Sequence, residues 1–201
     1  MAAELAGHLQ GIGRHVDVVA TDAFLLSNVV LNERNLTLRK GFPESFDVEA
    51  LLGFVAEVRR GTGGVEIPVY SHAIYDIVQG ETTVLESPDL VLLEGVIALQ
   101  PPVVDALDAS IYVDAEETDI REWFVTRFLV MTAAAADDEG SFYRMFAAMP
   151  PEDVKSIAEG AWDGINRVNL HKHILPSRAG AMFVVEKARD HSVTRVTTHT
   201  S

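Results

Sequence analysis

Three short apolar runs each end on a carboxylate, and this constrains the fold more than any other feature of the 201-residue sequence. VDVVAT (16–21) is rich in β-branched residues and stops at Asp22. DLVLLEG (89–95) carries Glu94 at the end of a continuous apolar stretch, and SIYVD (110–114) closes on Asp114. Such runs read as strands, and segments of helical periodicity lie between them. Strands alternating with helices predict an α/β fold with a mostly parallel sheet flanked by helices. DLVLLEG shows no polar alternation, which predicts a central strand buried on both faces.

The remaining segments fill in around this frame. Leu5 and Leu9 stand four apart within residues 2–10, predicting a helix that GIG (11–13) ends and that starts at Met1 without an N-cap. Residues 27–46 read as a long polar loop with one short helix, a kind of segment that is usually functional. Asp47 is placed to cap a helix over 48–60, with Leu51, Leu52 and Val55 facing inward and RGTGG (60–64) breaking it. EIPVYSH (66–72) reads as a strand, followed by a ragged polar stretch to Pro88. A helix over 116–133 aligns Trp123, Phe124, Arg127, Phe128 and Met131 near one stripe. Pro150–Pro151 opens a helix to about residue 169, and AMFVVEK (181–187) with SVTRVT (192–197) predicts a C-terminal β-hairpin. With no repeat or linker, residues 1–201 read as a single domain.

Composition narrows the function. There are 16 basic and 30 acidic residues, a formal net charge of −14. A surface of that sign repels phosphate backbones, so nucleic acid and anionic membranes are excluded as main partners, while a local basic pocket for a small anion is allowed. The absence of cysteine excludes disulfides, thiolate chemistry and Cys-ligated metals. No apolar run approaches the roughly 18 residues of a membrane span. The start, MAAELAGHLQ, lacks the basic region of a secretory signal. A cytoplasmic protein is expected.

Ligands of parallel sheets bind beyond the carboxyl ends of the strands. Here those ends present Asp22, Tyr70–Ser71–His72, Glu94 and Asp114. One carboxylate can accept a proton from an attacking alcohol and a second can hold Mg²⁺, so the set suits metal-assisted activation of a hydroxyl. Taken singly, an aspartate at a strand end is more often a turn or cap residue, and His72 more often an ordinary histidine. Arg127 either snorkels from an apolar stripe or offers its planar fork to a transferring phosphate. Asn166, midway along the last predicted helix, is by itself a surface residue.

Six strings then occur in one order: TDAFLLSN (21–28), RKGFPESFD (39–47), PVYSHAIYDIV (68–78), LEGVIALQ (93–100), SIYVDAEETDIREWFVTRFL (110–129) and NLHKHILPSR (169–178). Together they resemble the bacterial type I pantothenate kinases, within the P-loop phosphoribulokinase/uridine kinase-like group, over about residues 16–197. The resemblance implies a P-loop kinase-like fold and a phosphotransferase that uses ATP and Mg²⁺. Its substrate would be pantothenate, in the first step of coenzyme A synthesis, with coenzyme A as inhibitor and a homodimer as the working form. It assigns Asp22 as the base or orienter of the substrate hydroxyl, Glu94 to the metal and Arg127 to the transferring phosphates. It places Lys40 near the nucleotide and coenzyme A phosphates, Tyr70, His72 and Asn166 along the pantothenate and pantetheine region, and Phe128 and Tyr143 among aromatics around pantetheine. Departures are Ala23 for a glycine, Ser27 for a proline, no asparagine after Glu94–Gly95, Phe124 for a substrate-contacting tyrosine and Met131 for a pocket phenylalanine. A missing hydroxyl can shift selectivity, so a different small hydroxyl compound stays open as substrate.

No G-x-x-x-x-G-K-[ST] stands in the sequence, and RGTGGVE (60–66) has no lysine and precedes a strand. That motif supplies the amides, the lysine and the Mg²⁺-binding hydroxyl that cradle a nucleotide's phosphates. Residues 2–10 look like the helix that follows it, so the first strand and the Walker A loop are expected to be missing. The expected consequences are little kinase activity in the chain by itself and a sheet interrupted between 89–94 and 110–113. Three readings stay open: a start assigned to an internal methionine, a truncated or degenerate gene, and a P-loop-less module that binds pantothenate or coenzyme A without catalysis.

Overall fold

A computed structural model describes residues 1–61 and 63–199; Thr62, inside the predicted RGTGG break, lies outside the described residues. The chain divides into two compact units, Met1–Ser71 with Asp76–Leu107, and His72–Tyr75 with Asp108–Ser201.

The first unit opens with α1 (Ala2–Gly11), whose N-terminus has no side-chain cap, and β1 (Val16–Ala20). After a tight turn come the short α2 (Asn28–Glu33) and α3 (Val48–Arg60). The Asp47 carboxylate accepts the Ala50 N–H at 2.9 Å, satisfying an otherwise orphaned donor of the first turn of α3. Gly61 ends α3 at φ 66°, a left-handed conformation that glycine adopts without steric cost. Leu51 and Val55 are buried and Leu52 partly so. They join Val19, Phe24, Phe54, Ile67, Leu85 and Ile97 in one core. β4 (Leu90–Glu94) runs parallel to β1, in register from Val16↔Leu90 to Ala20↔Glu94.

Two expectations are corrected in this unit. The stretch read as ragged is a ten-residue strand, β3 (Asp76–Leu85), antiparallel to β2 (Val65–Ser71) with a register shift between Pro68 and Tyr70. From Gln79 to Val84 every residue of β3 is exposed, so backbone hydrogen bonds rather than an apolar face hold it, and periodicity carries no trace of that. β4 is not buried on both faces: Leu90 is 41% exposed and Val91–Leu93 are half-buried. β1 is the one strand that pairs with it among the described residues.

The second unit holds β5 (Ile111–Ala115), α4 (Glu117–Ala134), the single turn α5 (Arg144–Ala147) and α6 (Pro151–Ala161). Past α6 the chain stays helical to Ile174 but widens to π geometry twice, at Trp162–Asn166 and Leu170–Ile174. The predicted hairpin is β6 (Phe183–Lys187) with β7 (Val193–Thr198), and β6 also pairs in parallel with β5. That register sets Asp114 beside Glu186. Arg178 bridges the two carboxylates, at 2.6 Å and 3.5 Å, and Arg195 Nε holds Glu186 from the other side at 2.9 Å. Two like charges on neighbouring strands would otherwise repel. Among the described residues β5 pairs with β6 alone.

Candidate active site

At the end of β1 the chain folds at once into a tight turn, Thr21–Phe24, with Asp22 half-buried between buried Thr21 and Ala23. The register Ala20↔Glu94 brings Glu94 to the neighbouring strand end. Thr21 has no exposed surface, and its Oγ1 has no hydrogen-bond partner among the described residues. The next residue of β4's exit, Gly95, lies against it at φ 141°.

The KGFPES segment is built to fix Lys40. Gly41, at φ 90°, donates its N–H to Ser45 Oγ at 2.9 Å, and Ser45 Oγ donates to the Phe42 carbonyl at 2.7 Å. Phe42 is 1% exposed, and the Arg39 guanidinium lies 3.6 Å from its ring centroid while also pairing with Glu44. Lys40 leaves this knot with its Nζ donating to Asn28 Oδ1 at 2.7 Å and standing 5.2 Å from the Tyr70 ring centroid. Burial holds its pKa below the usual lysine value, and the charges of Asp76 and Asp22 oppose that shift. Asp76 Oδ1 accepts the backbone N–H groups of Asn28 at 3.0 Å and Ile77 at 2.8 Å. The predicted residues Asp22, Lys40 and Tyr70 are therefore electrostatic and contact neighbours of one cluster. Asn28 and Asp76 belong to it too; they stand in the quoted strings TDAFLLSN and PVYSHAIYDIV but were not singled out from sequence.

In the second unit Phe124 and Phe128 of α4 share an aromatic cluster, whereas Trp123, expected on the same stripe, stacks on His191 at 4.3 Å between centroids. Phe128 meets Phe124 at 6.3 Å, Tyr143 at 5.3 Å and Phe146 at 5.5 Å between centroids, and Phe124 meets Trp162 at 6.0 Å. Arg127 is exposed on the same helix, and its charge opposes the upward shift that burial imposes on the Tyr143 hydroxyl. Met131 is half-buried one turn on. Asn166 closes the first π turn, where its Nδ2 donates to the Ala161 carbonyl at 3.5 Å, a long bond that leaves most of its amide capacity open. π turns of this kind recur at functional sites. His72 is exposed and opens the His72–Tyr75 turn, which docks through the Ala73 carbonyl, accepting the Phe142 N–H at 2.7 Å, and through Tyr75 stacked on Phe142 at 4.9 Å. Sequence reasoning passed over Tyr75, Phe142, Phe146 and Trp162, whose aromatic character was the available signal.

Among the described residues no three His, Cys, Asp or Glu side chains gather into a metal cage. Mg²⁺ in phosphoryl-transfer sites takes one or two carboxylates and completes its shell with water and substrate oxygens, so the hard oxygens of Glu94 at the end of β4 fit that ion. Among the described residues no helix is long and apolar enough to cross a membrane.

The chain is 45% identical over 192 residues to a pantothenate kinase of Cutibacterium acnes, covering 90% of this chain and 59% of that one. A pantothenate kinase of Myxococcus xanthus gives 45% over 192 residues, covering 90% and 61%. The chain thus spans about 60% of the length of these curated relatives. Among solved structures, D-glycerate 3-kinase from Cryptococcus neoformans superposes with a TM-score of 0.69 at 12% identity, covering 98% of this chain and 84% of that one. Phosphoribulokinase from Rhodobacter spheroides gives 0.55 at 13%, covering 92% and 64%. These two share the P-loop kinase-like fold. The model of the Phosphoribulokinase / Uridine kinase family matches residues 17–124, more than half of the 201, and the chain belongs to that family.

Proposed function

We propose that this chain carries the substrate-activating part of a pantothenate kinase, which transfers the terminal phosphoryl group of ATP to the primary hydroxyl of pantothenate. The observation that supports it best is the Asp22–Lys40–Tyr70 cluster, made of residues that the resemblance assigns to substrate and phosphate, in a chain 45% identical to proteins named pantothenate kinase. Asp22 takes the hydroxyl proton as the alcohol oxygen attacks phosphorus, and the bond to the bridging oxygen of ADP breaks. Lys40 faces the resulting negative charge as a fixed cation, worth more in a partly desolvated site than in water. Bound at Glu94, Mg²⁺ would neutralise charge on the phosphate oxygens. By the resemblance, Arg127 serves the phosphoryl oxygens with its planar guanidinium, and Tyr70, His72, Phe124, Phe128, Met131, Tyr143 and Asn166 serve pantothenate or the pantetheine arm of coenzyme A. On the same reading coenzyme A inhibits, two copies form a homodimer, the site works in the cytoplasm, and the 201 residues act as one domain.

The alternative to the kinase reading is a binding module for pantothenate or coenzyme A without catalysis. Calorimetric titration with pantothenate, paired with a coupled ADP-release assay, separates the two. Binding with turnover supports the kinase, binding without turnover supports the module, and no binding of pantothenate or coenzyme A defeats both.

A further inference from the structure

We infer that the wide turn at Trp162–Asn166 is what aims Asn166, by swinging its short side chain back into line with the buried face of the helix. The inference rests on the reading of Asn166 as a residue for pantothenate or the pantetheine arm. Val154, Ala158 and Trp162 stand four apart and are all buried, so they mark the face that α6 and the turn after it cover. α6 packs on α4, where Arg121 pairs with Glu159 at 3.0 Å, and the Trp162 ring meets Phe124 at 6.0 Å between centroids. The buried face is therefore turned toward the helix that carries Phe124 and Phe128.

Each residue of an α-helix advances about 100°, so every step of four passes a full circuit by about 40°. Between Val154 and Trp162 the buried face has already drifted by about 80°. A further α step would carry position 166 about 40° beyond Trp162, off the face, and the position that returns to it would be 165, about 60° behind Trp162. The helix leaves α geometry at this point. The Arg167 N–H donates to the Trp162 carbonyl five residues back, in place of the usual four. A circuit closed in that way spans more residues, so each advances less, and the four steps from Trp162 to Asn166 fall short of a full circuit instead of passing it. Asn166 comes round on the Ala158 side of Trp162 and is half-buried. An asparagine has only two side-chain dihedrals, so the direction of its Cα–Cβ bond decides what its amide can reach. Trp162, buried against Phe124, is the positioning residue that anchors the near end of the turn.

Exchanging two neighbours tests this. Ile165→Asn/Asn166→Ile keeps the composition and moves the amide to the position that unbroken α geometry would favour. Far-UV circular dichroism and thermal melting establish that the exchanged protein is folded. Calorimetric titration should show it binding pantothenate about tenfold more weakly than wild type, no better than Asn166→Ala. An exchanged protein that binds as tightly as wild type would overturn the inference. The NMR scalar coupling across the hydrogen bond from Arg167 N to Trp162 C′ reads the turn without ligand. It should be present in the wild type, and a coupling from Asn166 N to Trp162 C′ in its place would mean α geometry and overturn the inference by a second route. Wild type that shows the Arg167 coupling but binds neither pantothenate nor coenzyme A would overturn the reading of the site, not the geometry of the turn.

Discussion

Thr21 and Gly95 pack against each other just beyond the ends of β1 and β4, so closely that a Cβ on Gly95 would lie 1.8 Å from Thr21 Oγ1 and 2.9 Å from Thr21 Cβ. The contact ties the turn that carries Asp22 to the exit of the strand that ends on Glu94. Gly95→Ala should therefore cost about 2–4 kcal/mol, the sum of overpacking and of forcing a side chain to φ 141°. Urea unfolding measures it. In the double variant with Thr21→Ala the two effects should be sub-additive, because the same clash is being relieved; strict additivity would show that the contact is not the cause.

Thr21→Val tests the other side of the same contact. It keeps the shape and removes a buried hydroxyl that has no partner, so the folded state should gain about 1 kcal/mol. A loss of stability would mean that the hydroxyl is satisfied.

Lys40 gives stability a pH dependence of known sign. Its folded pKa lies below 10.5 because burial disfavours the charge. Between the folded and unfolded values the unfolded chain binds more protons, so stability rises with pH across that window; below the folded value the penalty is fully present. Tyr112 and Tyr143 act oppositely, since their raised pKa values make stability fall once the unfolded tyrosines ionise above about 10. The difference between wild type and Lys40→Met from pH 8 to 11 isolates the lysine. Wild type should gain on the variant as pH rises, and a flat difference would contradict the burial.

Asp22→Asn should cost about 10²–10⁴ in kcat with much less change in ATP binding, in a form of the enzyme that turns over. It should also lower the Lys40 pKa further, because the Asp22 charge currently raises it. The second readout, by lysine Cε NMR, needs no activity, and an unmoved Lys40 signal would separate the two residues.

Asn166→Ala should weaken pantothenate binding about tenfold while changing stability by less than about 0.5 kcal/mol, because its hydrogen bond to the Ala161 carbonyl is 3.5 Å long. Calorimetry and urea unfolding on the same protein decide it. A large stability loss with unchanged affinity would make Asn166 a structural member of the helix.

The strands ending on Asp22, Glu94 and Asp114 were legible because unbroken β-branched and aliphatic runs have few other folds open to them. β3 was not, because an exposed strand leaves no apolar alternation behind, and its Gly80 and Thr82–Thr83 read equally well as loop. The burial expected of β4 failed for a different reason: apolarity describes what a strand can bury, and Leu90 lacks a covering layer among the described residues. Asp22 and Glu94 followed from their place at strand ends, whereas Lys40 and Asn166 came from the family resemblance alone. Asn28 and Asp76 escaped both routes. Asp76 works by accepting backbone N–H groups, and Asn28 by meeting a lysine twelve residues away. Neither arrangement has a periodicity.

The two widened turns at Trp162–Asn166 and Leu170–Ile174 set a rule for what length changes the helix tolerates. Each turn bonds i to i+5 and so stores one residue more than an α turn. Removing one residue inside 162–166 can be absorbed by reverting to α geometry, with the elements beyond keeping their orientation. The same deletion inside α6 has no surplus to draw on and must rotate everything downstream by about 100°. Single-residue deletion along 151–174 should accordingly be asymmetric in its effect on folding, with the mild positions clustered around the two wide turns.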